Sequence, residues 1–466
     1  MTHRSFHRSA IRFLVPLVAL LAPARLPAAD KPQPEDINAR FRDPKSIFPY
    51  RVWQEILPNG LKTIVIPLDS PGLVTYWSVV RTGSRDEVEP GRSGFAHFFE
   101  HMMFRGTKKY PSAVYQQITT AMGASGNAFT TDDLTAYHLT FAKEGLKQVV
   151  EIESDRFQNL SYEKADFQTE AGAVYGEYRK SITQPAALLH EKMQDLAYDV
   201  HTYKHTTIGF EADIKAMPEA YEYSLSFFRR FYLPENVVLL VVGDVDPPTV
   251  FKLVRQYYGA WQKGYVAPRV RPEPPQKAER QGAVTYPGKT LPILQIAYKG
   301  DPFDPDNADY VAAVLLADLA FGETSAIYRK LVLDEQKVQV LGADVPMNRD
   351  QPLFDIAAVV KSEKHIDYVR SEIYRTLEGC QAQPVERERL AALKRRVRYG
   401  FLMGLDTPDH VAGQLARPIA LTGGLECVDR FYAALDRVTP DSVQRAAQKY
   451  FVPARRTVIV LKGAKG

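Results

Sequence analysis

The chain repeats itself at an interval of about 220 residues. Tyr232-Leu233-Pro234 leads into Val237-Val238-Leu239-Leu240-Val241-Val242-Gly243, and Phe451-Val452-Pro453 leads into Thr457-Val458-Ile459-Val460-Leu461-Lys462-Gly463. Tyr76 to Gly83 and Ile293 to Gly300 match at nearly the same offset, each an apolar strand that ends in glycine. A long-period repeat constrains the fold more than any local signal, because both copies must bury one pattern in one way. Strands and helices mix within each copy without a strict βαβ order, so the expected class is α+β with two homologous domains. Pro268, Pro272, Pro274, Pro275 and Pro287 sit among charges and mark residues 267–288 as a linker. The expected domains are then residues 48–266 and 289–466.

The first residues differ in composition. Arg4, His7, Arg8 and Arg12 precede the apolar run Phe13 to Ala24, and Ala28-Ala29 offers small residues before Asp30. This is the layout of a secretory signal peptide over residues 1–29, followed by a polar, flexible arm over 30–47. The run is short for a bilayer span and no second apolar run approaches that length. The expectation is export to a periplasm without a transmembrane span in the mature chain; a retained N-terminal membrane anchor is the alternative. Residues 1–29 carry four arginines and no acid, and without them 55 basic side chains face 55 acidic ones. A neutral chain with no dense basic patch among aromatics speaks against nucleic acid as a partner. The two cysteines, Cys380 and Cys427, could pair or remain buried thiols, and the lack of Cys-x-x-Cys excludes a zinc ribbon.

Within the first copy, Leu61 to Pro67 and Val74 to Thr82 read as strands separated by Ser70-Pro71-Gly72, which predicts a hairpin. Ser112 to Met122 predicts a short helix with Val114, Ile118 and Met122 on one face. Asn127 to Thr131 and Leu134 to Phe141 read as strands around a turn at Asp132-Asp133. Upstream of these, Gly94 to Gly106 contains His97-Phe98-Phe99-Glu100-His101, with Ser93 as the expected N-cap and Gly106 as the stop. In a helix His97 and His101 share a face one turn apart, with Glu100 beside His101. Two such imidazoles can hold one divalent metal while the carboxylate reaches a water on it. An amphipathic helix with two ordinary histidines would look the same, so a further ligand must come from elsewhere. A helix over Glu163 to Ile182 carries Glu170 and Glu177 two turns, or about 10 Å, apart on one face. Alone, these could be solvated surface glutamates.

Together these residues resemble the pitrilysin/insulinase family of zinc peptidases, the group that includes mitochondrial processing peptidase. The family carries His-x-x-Glu-His as an inverted zinc motif. It places a ligand glutamate some 75 residues past the second histidine, with another glutamate seven residues before it. Here 75 residues separate His101 from Glu177, and Glu170 precedes Glu177 by seven. The family's glycine turn into Asn-Ala-x-Thr is matched by Gly126-Asn127-Ala128-Phe129-Thr130, and the similarity spans nearly all of residues 47–463. The resemblance implies a processing peptidase-like fold in which each domain is a mixed, largely antiparallel sheet packed by helices, the second domain being inactive. It implies one Zn2+ per chain held by His97, His101 and Glu177, Glu100 as general base, and Glu170 orienting or tuning a ligand. Asn127, Ala128 and Phe129 would form the edge strand to which substrate adds by main-chain hydrogen bonds. The implied activity is zinc-dependent endopeptidase cleavage of short or unfolded polypeptides.

One departure stands out. Many active members carry an Arg and a Tyr seven residues apart after Ser-x-Leu-Tyr in the second domain. Here the segment is Ser325-Ala326-Ile327-Tyr328, the two positions fall on Val332 and Gln339, and Tyr328 and Arg329 are out of register. Members of twice this length close a clam from two halves, and this chain resembles one half. The expected partner is a homologous chain carrying the Arg/Tyr pair in a heterodimer, with a homodimer as the alternative. Two other functions compete. One is a non-catalytic peptide-binding or scaffold subunit, against which the full His97, Glu100, His101 and Glu177 set speaks. The other is a zinc hydrolase of a different substrate class.

Overall fold

The computed structural model describes residues 46–464. The expected signal peptide, and the expected arm as far as residue 45, lie outside the described residues. Six strands form the first sheet, β1 (Trp53–Ile56), β2 (Lys62–Pro67), β3 (Leu73–Val80), β4 (Ser125–Thr130), β5 (Thr135–Ala142) and β6 (Val237–Gly243), in the order β1-β2-β6-β3-β5-β4. Every residue of β6 is buried. A valine and leucine run with no polar face needs cover on both sides, which only a central strand receives. It therefore inserts between β2, to which it is parallel, and β3, to which it is antiparallel. The expected β2–β3 hairpin does not form for this reason.

The second sheet contains β7 (Arg280–Tyr286), β8 (Ile293–Lys299), β9 (Val338–Asp344), β10 (Leu353–Val360) and β11 (Arg456–Gly463), in the order β7-β11-β8-β10-β9. With β1 set aside, the two orders are the same strand for strand. Each sheet has one parallel pair, β2 with β6 and β7 with β11, among antiparallel ones. The two mixed, largely antiparallel sheets are thus copies of one topology. β7 falls inside the stretch expected to be linker. Its residues alternate between half-buried and exposed, the pattern of a sheet edge, and they pair with β11. What remains of the connector is pinned. The Glu273 carboxylate accepts the N–H groups of Asp199, Val200 and His201 at 2.8, 3.0 and 3.1 Å. It also faces the buried Lys299 ammonium at 3.4 Å.

Five of the helices between β3 and β6 are α1 (Phe95–Met102), α2 (Ser112–Ala121), α3 (Leu146–Asn159), α4 (Lys164–Ser181) and α5 (Pro185–Ala197). α5 packs on β7 and β11 of the other half, where Leu189, Met193 and Ala197 share a core with Ala297, Ile459 and Leu461. In exchange, the helix Pro408–Thr422 of the second half packs on β3 and β6, and its Asp409 accepts hydrogen bonds from Thr75 and Trp77. Each half completes the other's core. On α2 the expected inner face holds at Ile118 and Met122, which pack against the core, but not at Val114. Val114 is exposed and Tyr115 is buried, because Tyr115 donates to Glu153 on α3. The run Ala308–Asp334 is long and apolar enough to span a membrane, contrary to the expectation of no second such run, yet 67% of its apolar window is buried in the core. Cys380 and Cys427 are free thiols.

Candidate metal centre

α1 buries Phe95, Ala96, Phe98, Phe99 and Met102, which turns His97, Glu100 and His101 to its other side. The burial is dense, with the Phe99 and Phe227 rings stacked at 5.2 Å. Ser93 does not cap this helix. Its hydroxyl is taken by Asp213 at 2.6 Å and by the Phe210 N–H at 2.8 Å. The cap comes instead from Glu87, whose carboxylate accepts the N–H groups of Gly94 at 2.7 Å and Ala96 at 2.6 Å. A carboxylate there satisfies two orphan donors and faces the positive end of the helix dipole. Burial pushes the Glu87 carboxyl well above the usual range, against the pull of those two N–H groups. Gly94 adopts φ 92°, and a Cβ there would meet the Ile208 carbonyl at 2.5 Å, so the turn into α1 needs glycine.

α4 crosses this face and supplies Glu170 and Glu177. Together they bracket one imidazole. Glu170 Oε1 lies 2.8 Å from His101 Nδ1, and Glu177 Oε2 lies 3.3 Å from His101 Nε2 and 3.8 Å from His97 Nε2. The other Glu170 oxygen accepts from Arg105 Nε at 2.8 Å. With Nδ1 donating to Glu170, His101 presents the Nε2 lone pair to the Glu177 carboxylate. Two acceptors in contact require a cation between them. Burial works against the His101 imidazolium, but Glu170 and Glu177 outweigh it and push its pKa up to about 10, so that a proton can fill the gap. Burial pushes the His97 pKa down, which keeps its lone pair available, and its Nδ1 is buried without a hydrogen-bond partner. The bond to His101 holds Glu170 below the usual carboxylate range, with Arg105 adding to it.

The ligand atoms of His97, His101 and Glu177 all lie within 4.8 Å of one another. Tetrahedral zinc with bonds of about 2.1 Å sets its ligands about 3.4 Å apart, so this donor set fits the ion. Glu177 is 44% exposed, which leaves the site open to solvent on that side. Glu100 is held beside the cluster, where Thr130 Oγ1 donates to Glu100 Oε2 at 2.6 Å. Thr130 ends β4, so the strand expected to bind substrate also grips the expected base.

Of the expected strand residues, Asn127 is exposed, Ala128 is buried and Phe129 is half-buried, its ring edge-on to Trp77 at 6.0 Å. Among the described residues β4 pairs with β5 alone, which leaves its outer edge open. In the second half, Val332 packs against the core and Gln339 is exposed on β9. Three contributors escaped the sequence reading. Arg105 lies one helical turn beyond His101, a spacing that could have flagged it. Thr130 stood in the quoted strand without a role. Glu87 had no local signal, since it caps from a separate loop.

The chain as a whole is similar to known proteins in sequence and in fold. The insulinase (peptidase family M16) model matches residues 68–210, and the peptidase M16 inactive-domain model matches residues 220–397. The chain is 27% identical over 418 residues to the zinc protease PqqE of Helicobacter pylori, covering 87% of this chain and 91% of that one. A crystal structure of a protease from Helicobacter pylori superposes with a TM-score of 0.83 at 25% identity, over 89% of this chain and 99% of the other. The probable zinc protease PqqL of Escherichia coli is 30% identical over 252 residues, 52% of this chain but 25% of PqqL. The crystal structure of that periplasmic protease has a TM-score of 0.72 at 20% identity, and the match spans 47% of its chain.

Proposed function

Because the chain belongs to the insulinase (M16) family of zinc peptidases, we propose that it is a zinc-dependent endopeptidase acting on short or unfolded polypeptides. The observation that carries the reading is the convergence of His97 Nε2, His101 Nε2 and Glu177 Oε2, with the Glu100 carboxylate held next to them by Thr130. His97, His101 and Glu177 would hold the zinc. When bound, zinc supplies a Lewis acid that lowers the pKa of water and polarises a peptide carbonyl. Glu100 takes the proton of the attacking water on the oxygen that Thr130 leaves free, then passes it to the departing amine. Glu170 fixes the His101 tautomer, and Arg105 fixes Glu170. The open edge of β4 at Asn127, Ala128 and Phe129 receives the substrate as an added strand, which reads few side chains and accepts many sequences.

Two finer points belong to the same proposal. The chain acts as the zinc-bearing member of a dimer with a homologous chain, which supplies the polar pair that Val332 and Gln339 lack. A match to 47% of the PqqL chain supports this, since one such chain is about half of that longer protein. Export to the periplasm is supported by the basic and apolar start of the sequence and by the periplasmic location of PqqL. A panel of unstructured peptides against small esters and amides, run with metal-stripped and zinc-restored protein, tests the activity. Zinc-restored cleavage of peptides alone supports it. Hydrolysis confined to the small substrates, or none with any partner chain, would leave the scaffold or other-hydrolase readings standing.

A further inference from the structure

The two copies of the sheet topology meet turn to turn. The turn after β4, residues 131–134, faces the connection between β9 and β10, residues 345–352, where Asn348 and Arg349 fasten the turn itself and Asp350 holds the residues beside it. Asn348 Nδ2 donates to Asp132 Oδ2 at 2.9 Å. The Arg349 N–H donates to Asp133 Oδ2 at 3.1 Å, and Tyr203 Oη donates to the same buried carboxylate at 2.9 Å. The Arg349 guanidinium bridges three carbonyls, those of Arg81 at 3.0 Å, Asp133 at 3.2 Å and Ala420 at 3.0 Å. Asp350 pairs with Arg85 at 2.5 Å and with His201 at 3.0 Å.

The first half holds the turn's carboxylates through Tyr203, which reaches both Asp133 oxygens at 2.9 and 3.1 Å, and through the Ser84 hydroxyl on Asp132 at 3.4 Å. It leaves the Asp133 carbonyl to Arg349. Among the described residues β4 is an edge strand paired with β5 alone, so beyond its last pair, Thr130 with Thr135, its end is carried by the turn. Within its own half the turn has the Ser84 and Arg85 N–H groups on the Thr131 and Asp132 carbonyls, at 3.3 and 2.8 Å. That approach is close enough that a Cβ on Gly83 would lie 2.3 Å from the Thr131 carbonyl. Thr130 comes immediately before this turn, and its hydroxyl grips Glu100. A shift of the turn moves Thr130, and a displaced Thr130 releases the carboxylate.

We propose that Arg349 is a positioning residue for Glu100, acting through the turn at 131–134 and Thr130. The second half thereby sets the geometry of the base. This inference rests on Glu100 being the base. Misplacement of a catalytic group by about 1 Å costs up to roughly a hundredfold in rate, so a loss of kcat of roughly ten- to a hundredfold is the scale to seek.

The test uses the full zinc-loaded chain, with its partner chain if one is required, and the variants Arg349→Ala, Arg349→Lys, Thr130→Val and the Arg349→Ala/Thr130→Val double variant. Arg349→Ala should lower kcat with KM within about twofold, and Arg349→Lys should recover part of the loss. The double variant should be no slower than Thr130→Val, because both changes cut one chain of contacts. Amide hydrogen exchange, which needs no activity, should speed up at residues 125–134 and not in α1. Asn348→Ala, which removes one side-chain bond, serves if Arg349→Ala does not fold, and should give the same pattern more weakly. Multiplying kcat losses in the double variant would overturn the inference. So would faster exchange throughout both halves, or unchanged exchange at 125–134. If the wild type cleaves no peptide, the peptidase reading fails by itself, and the exchange data still decide whether Arg349 holds the turn.

Discussion

Glu170→Gln keeps the shape of a side chain that touches no metal and removes its charge. In the native site one oxygen meets His101 Nδ1 at 2.8 Å and the other takes Arg105 Nε at 2.8 Å. A glutamine can satisfy only one of these. If its carbonyl faces Nδ1, its NH2 group confronts the Arg105 donors. If it flips, its NH2 group donates to Nδ1, the ring proton moves to Nε2, and the lone pair aimed at Glu177 is lost. Loss of such an outer hydrogen bond lowers metal affinity by about 10- to 100-fold, or about 1.4 to 2.7 kcal/mol at 1.36 kcal/mol per decade. Titration of Zn2+ against a competing chelator at neutral pH should show that rise in Kd, with one zinc still bound at saturation. An unchanged Kd would refute the claim that Glu170 sets the His101 tautomer.

Two other perturbations probe the frame around the site. Burial pushes the Lys299 pKa down to about 8 while Glu273 pulls the other way, against about 10.4 in an unfolded chain. Between these values the unfolded chain holds more protons, so this group makes stability rise with pH, by about 3 kcal/mol across the window. Urea unfolding at pH 7 and pH 10 should therefore show Lys299→Met gaining on the wild type most at pH 7; parallel behaviour at both values would contradict the assignment. Leu189→Ala on α5 opens the shared core over β11 and should cost about 2 to 5 kcal/mol. It should lower the unfolding midpoint of both halves together, and unfolding of the second half alone would show that the exchanged helices do not couple them.

The helices α1 and α4 were legible because their information is local. His97, Glu100 and His101 share one turn, Glu170 and Glu177 share one face, and the 3.6-residue period carries both facts. The doubled topology was legible from the matched strands. Other features depended on distant choices. β2 and β3 looked like a hairpin because nothing near them announces that β6 will part them. Ser93 looked like a cap because Asp213 and Glu87, which redirect the helix start, lie outside the motif. β7 hid in a proline-bearing stretch because an edge strand needs only alternating, half-buried residues. An amphipathic helix shows that it must cover something, not which sheet, so the exchange of α5 for Pro408–Thr422 had no sequence signature.

The central claim is that this chain carries both a metal cluster and a working base. Glu100→Gln addresses it most directly, since Thr130 can still donate to the amide oxygen and the three ligands are untouched. Measured side by side, zinc content should stay at one ion per chain while kcat for peptide cleavage falls by about 10²- to 10⁴-fold. Full cleavage activity with zinc still bound would contradict the account.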